Sequence, residues 1–116
     1  MKEADIILTP ILQADGALKN RPALILREMP PFRDFLVCGI STQLHHEVKD
    51  FDEIISRQDA DFSSSRLVAA SLIRLSFLAV LPAAKIIGAI GAISGERHKR
   101  LLKNLSDYLI ENISVR

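Results

Sequence analysis

The stretch RPALILREMPPFRDFLVCGIST, residues 21–42, decides the fold. It divides into two apolar runs, RPALILR (21–27) and DFLVCGIST (34–42), around the turn-forming EMPPF (28–32). Short runs rich in aliphatic and aromatic side chains and bounded by proline read as strands. Proline has no backbone N–H, so Pro22 suits the first residue or an exposed edge of a strand. Side chains alternate between faces along a strand. Pro22, Leu24 and Leu26 therefore share one face, and Arg21, Ala23, Ile25 and Arg27 the other. In the second run Leu36, Cys38 and Ile40 form one set, and Val37, Gly39 and Ser41 the other. A symmetric hairpin centred on Pro31 puts Arg21 directly opposite Ser41, at about 4.5–5.5 Å between Cβ atoms. Gly39 beside them leaves room above the sheet.

Working outward, DIILTPIL (5–12) reads as a strand followed by the turn-rich QADGALKN, and FDEIIS (51–56) as another. RQDADFSSS (57–65) reads as a polar, mobile loop. RLVAASLIRLSFLAVLP carries one or two further strands and KIIGAIGAI one more, with Gly88 and Gly91 marking a bulge or a close approach. Only the tail has helical spacing. Leu101, Leu102, Leu105, Tyr108 and Leu109 form an amphipathic stripe over a helix near 95–110, with Ser94 as its N-cap. Leu101, Leu105 and Leu109 are expected to pack it down. Many short strands with one closing helix predict a mainly β fold, a small, strongly curved sheet or barrel.

A length of 116 residues corresponds to one domain over 1–116. The content is 48% hydrophobic and 25% charged, as in a soluble globular protein. A net charge of +1 gives no bulk attraction to nucleic acid, so any such site must be a local patch. One cysteine, Cys38, excludes an internal disulfide and fits a reducing cytosol. Without paired Cys/His clusters, no structural zinc is expected, and nothing calls for a metal or cofactor. Arg74, Pro82 and Lys85 interrupt the apolar segment 67–95, which is therefore not a membrane span. The N-terminus carries Glu3 and Asp5 and lacks a secretory pattern, so a cytoplasmic protein is expected.

Arg21 beside Ser41 has chemical use. A guanidinium grips a phosphate bidentately and stabilises charge on a phosphoryl oxygen, while a hydroxyl orients or relays a proton. The alternative is a solvated strand-end arginine and a turn-capping serine. Arg74, in SLIRL, either pairs with Asp5, Asp52 or Glu53 or faces a ligand. The basic run ERHKR (96–100) is either an RNA or partner surface or a solvated helix face. Lys19 sits on a loop that either closes over the site or stays in solvent.

The order and spacing of DIILTP, LQADGALKNRPALIL, VCGISTQ, SLIRLSFLAVLP and SGERHKRLLKNLSDYL resemble the MazF/PemK family of toxin–antitoxin ribonuclease toxins, over nearly the whole chain. The resemblance implies an SH3-like barrel of the CcdB/MazF type with a C-terminal helix, usually a homodimer. It implies sequence-selective, metal-independent cleavage of single-stranded RNA through the adjacent 2′-hydroxyl, neutralised by a cognate antitoxin. The family's Arg-Pro arginine matches Arg21, and its third-strand hydroxyl matches Ser41, with Thr42 and Gln43 next to it. The arginine of its later strand matches Arg74. Two departures stand out: Ala4-Asp5 replaces the usual Gly-Asp, and Ser71 occupies a position that is acidic in some members.

Applied to this chain, the resemblance makes Arg21 the phosphate clamp and Ser41, helped by Thr42, the proton-handling hydroxyl. Gln43 and His45 are candidate base readers, Lys19 and Arg74 RNA contacts. His45 and His46 follow Gln43 closely and either serve the site, by proton transfer or by stacking on a base, or form a solvated loop. The expected partners are RNA, an antitoxin with an acidic or amphipathic tail in the same groove, and a second copy of the chain. The rival expectation, prompted by Ser71, is a non-catalytic barrel that grips a protein partner, as gyrase-poisoning toxins do.

Overall fold

The computed structural model describes residues 1–12 and 14–111. Six strands, β1 (Asp5–Leu12), β2 (Leu18–Met29), β3 (Asp34–Ser41), β4 (Glu53–Ile55), β5 (Ser71–Leu81) and β6 (Gly88–Ala92), make one antiparallel sheet in the order β4-β5-β3-β2-β1-β6. The sheet curls into a half-barrel, accompanied by a short helix α1 (Phe62–Ser65) and a long one, α2 (Gly95–Ile110). The mainly β fold with a closing C-terminal helix is therefore as the sequence leads one to expect. No described helix is long and apolar enough to cross a membrane.

The central hairpin has the symmetric register: Ala23 faces Gly39, Leu24 faces Cys38 and Ile25 faces Val37. A bulge between Ile25 and Arg27 shifts the pairing by one residue nearer the turn. β2 starts at Leu18, three residues ahead of the predicted Arg21, because β1 supplies a second partner: Lys19 lies opposite Ile11 and Arg21 opposite Thr9. Pro22 is thus inside a strand. The β3 ladder ends at Ala23, so position 22 is an edge on that side and tolerates the missing N–H.

Four consecutive buried residues, Ala23 to Leu26, need apolar cover on both faces of the sheet. On one face Leu24 and Leu26 meet Cys38, Ile40, Ile73 and Leu75, with Leu101 and Leu105 of α2 laid over them. On the other, Ala23 and Ile25 meet Ile7, Phe35, Val37 and Ile86. Cys38 is completely buried; desolvation, reinforced by the Asp52 carboxylate, pushes its thiol well above the usual range. β6 carries a bulge against β1, and a side chain at Gly91 would collide with the Ser64 and Ser65 carbonyls of α1. Gly91 is the close approach that lets α1 seal this edge; at Gly88 nothing crowds the backbone.

Ser94 caps α2, its Oγ accepting the Arg97 N–H at 3.1 Å. Leu101 and Leu105 are buried, but Leu109 is exposed, contrary to expectation, because the helix runs past the apolar surface it packs on. Tyr108 turns its ring to Phe51 instead, 5.1 Å away. The basic run also reads differently in three dimensions. Arg97 is buried, bonded to Asp61 at 2.9 Å and Glu53 at 2.7 Å, with Asp59 at 3.4 Å. Arg100 holds the other side of Glu53, and the His98 ring meets the Leu26 carbonyl at 2.7 Å. These three side chains clamp the helix start to the sheet; Arg97 is withdrawn from any surface patch, while Glu96, Lys99 and Arg100 stay exposed on the helix face. Asp61 also accepts the Ser94 N–H, so the segment 57–65 is an anchored bridge containing α1. Burial pushes the Asp61 carboxyl up, but Arg97 and the Ser94 N–H outweigh it and hold it below the usual carboxylate range.

Candidate functional site

Strand alternation places Arg21, Gly39 and Ser41 on the same face as Ala23 and Val37, the face away from α2. There the sheet forms a cavity of about 430 Å³. Its polar wall is Arg21, Ser41, Thr42, Gln43, Ser71 and Arg74; Phe77, Ile11, Ala14 and Pro22 are among its apolar lining. β3 runs between β2 and β5, with Ala23 opposite Gly39 on one side and Gly39 opposite Arg74 on the other. Two guanidinium groups therefore approach the end of β3 from its two neighbours. Five of the residues singled out in the sequence (Arg21, Ser41, Thr42, Gln43 and Arg74) meet in this one cavity.

Ser41 ends β3, and its Oγ accepts the Gln43 N–H at 3.0 Å. This turn fixes the hydroxyl oxygen and leaves its O–H as a donor. The chain continues through a single 3-10 turn, Leu44–His46. Buried Asp52 then ties this region to β5, accepting the Val48 N–H and the Leu75 N–H, each at 2.9 Å. That bond holds the backbone beside Arg74 in place.

Arg74 is partnered by none of the acids considered for it. Asp52 is taken up by the two backbone N–H groups, Glu53 by Arg97 and Arg100, and Asp5 accepts from the Lys2 N–H. The Arg74 Nε is buried and meets no acceptor among the described residues. An unmet buried donor costs about 1–3 kcal/mol, and more when charged. Among the described lining residues there is no Asp, Glu or His. The Ser71 hydroxyl donates to the Ala69 carbonyl at 2.8 Å. Chemically, the cavity can hold an anion between two cations and offer hydroxyl donors to it.

Lys19 and His45 do not line it. Lys19 is exposed on β2, and the turn reaches the cavity through Ala14 instead. His45 is exposed in the 3-10 turn, its ring edge-on to His46 with centroids 4.3 Å apart. The room expected above Gly39 is filled: a Cβ there would lie 2.9 Å from Cδ1 of Phe77. Sequence reading missed Phe77 because strict alternation groups it with Ile73 and Leu75 inside the core. A register shift in β5 opposite Cys38 and Gly39 turns it outward.

Compared with known protein families and with curated proteins, the chain matches none. The fold and cavity define a small half-barrel protein with a two-arginine, hydroxyl-lined pocket that has no Asp or Glu among its described lining residues.

Proposed function

We propose that this protein is a sequence-selective, metal-independent endoribonuclease toxin acting on single-stranded RNA, neutralised by a cognate antitoxin. The observation that carries the reading is Arg74: a guanidinium whose buried Nε meets no acceptor among the described residues, in a cavity lined by a second guanidinium and the Ser41, Thr42 and Ser71 hydroxyls. A phosphodiester in the cavity would accept from the guanidinium groups that line it. The MazF/PemK-like order of motifs supplies the rest of the reading.

In this mechanism Arg21 and Arg74 hold the scissile phosphate. The 2′-oxygen attacks phosphorus and the bond to the 5′-oxygen breaks, leaving a 2′,3′-cyclic phosphate and a 5′-hydroxyl. The Ser41 hydroxyl, with Thr42 beside it, relays a proton to the departing 5′-oxygen and regains one from the water that takes up the 2′-hydroxyl proton. Water takes the proton of the 2′-hydroxyl, since no carboxylate or imidazole is among the described lining residues. Gln43 presents its amide to a base edge. Lys19 and His45, outside the cavity, contact the strand where it leaves. A second copy belongs to the proposal too, because Leu78, Val80 and Ile87 are exposed and apolar.

The lack of a carboxylate among the described lining residues also favours a second reading, a non-catalytic module that captures a partner in the same cavity. Incubating the purified protein with a long single-stranded RNA in excess EDTA, and mapping product ends, separates the two. Fragments with 5′-hydroxyl ends support the nuclease. RNA or a protein partner held without cleavage supports the module.

Arg74→Met gives a further test. Removing a buried, unmet donor while keeping the volume is expected to leave the melting temperature unchanged or raise it. RNA affinity, read by fluorescence anisotropy, should fall about tenfold or more, as for a lost charge-assisted contact. A variant that loses stability and keeps its affinity would assign Arg74 to the fold.

A further inference from the structure

The β3–β5 ladder breaks at one place. Cys38 faces Leu78, yet the next residue, Gly39, faces Arg74, so Leu75, Ser76 and Phe77 are accommodated within a single step. Leu75 goes into the core, completely buried, and its N–H is held by Asp52. Phe77 goes out over the cavity, where its ring rests against Gly39 and 47% of the residue stays exposed. No other aromatic side chain is among the described lining residues. The same ring also walls a small apolar niche with Pro10, Ala23, Val37 and Leu81. Thr9, a polar group of that niche, directs its hydroxyl to the Lys85 carbonyl at 3.3 Å. The niche thus supports the ring and offers little to a base edge.

An aromatic face held beside two guanidinium groups has a specific fit. Unpaired bases stack on aromatic rings whatever their identity, while their phosphates seek cations. We infer that Phe77 is a stacking platform for one unpaired base of the bound strand, next to the phosphate held by Arg21 and Arg74. The inference rests on the RNA reading above. It makes the cavity's ligand a splayed-out nucleotide recognised by its base face, with Gln43 left to read the edge. A base within a duplex is stacked on its neighbours and cannot lie on the ring.

The test uses the full chain and two non-cleavable probes of equal length: a mixed-sequence 2′-O-methyl oligonucleotide and an abasic one with the same phosphates. Wild type is expected to prefer the base-bearing strand about tenfold or more. Phe77→Ala and Phe77→Leu should lose that preference and keep the affinity for the abasic strand; Phe77→Tyr should retain it. Melting curves and sedimentation of each variant monitor fold and assembly. If Phe77→Leu folds and discriminates like wild type, or if its only change is in oligomeric state, the platform is wrong while the RNA reading stands. If wild type binds neither probe, the RNA reading fails and this inference with it.

Discussion

Arg21→Ala is expected to cut RNA at least about 100-fold more slowly than wild type while melting at the same temperature. The kinetic loss follows from removing a charged donor that acts as charge builds on the phosphoryl oxygens. The unchanged melting follows from position: Arg21 is an exposed residue on β2, and such truncations usually stay within about 0.5 kcal/mol. Arg21→Lys should recover only part of the rate, because an ammonium keeps the charge and loses the planar fork. Ser41→Ala should cost less, since Thr42 lies beside it in the cavity. Cleavage in EDTA by these variants, with melts in parallel, is the measurement. An Arg21→Ala protein that melts like wild type and cuts equally fast would remove Arg21 from the chemistry.

Arg97→Ala is expected to show the opposite pattern, a large loss of stability wherever activity is measured below the melting point. Truncating one partner of a buried ion pair costs about 3–5 kcal/mol, because the other charge is left buried and unmatched. For Arg97 the stranded group is Asp61, since Glu53 keeps its ion pair with Arg100. The melting temperature should fall by roughly 10 °C or more. The pH dependence has a definite sign. Asp61 is held below its ordinary value in the folded state, so its contribution is fully present above the unfolded carboxylate range, near about 4. It fades as pH falls through the lower folded value. Wild type should therefore lose stability below about pH 4, and Asp61→Asn should lose less over that interval. Equal acid slopes in the two proteins would show that the clamp does not set the acid limit.

Much of the sheet was legible because its signals are local. The register of β2 on β3 followed from two apolar runs placed symmetrically about Pro30-Pro31, and the start of α2 from Ser94 and a period of 3.6. The convergence of Arg21 and Ser41 came with that register. What the sequence concealed depends on partners far along the chain. The early start of β2 is set by β1, and the exposure of Leu109 by where the apolar surface stops. The burial of Arg97 needs Glu53 and Asp61, 44 and 36 residues away. Phe77 was hidden for a different reason: its outward turn depends on a break in alternation that no neighbouring residue type announces.

Cys38 has a practical consequence. The chain's one thiol is shut inside the sheet and held protonated by its surroundings, so it is a poor nucleophile towards alkylating reagents. A cysteine introduced at an exposed position, such as Lys19 on the turn side of β2 or His45 in the 3-10 turn, can thus be labelled with a dye or spin probe without first removing the native one. Distances from these two positions across the mouth of the cavity become open to measurement in an otherwise unaltered protein.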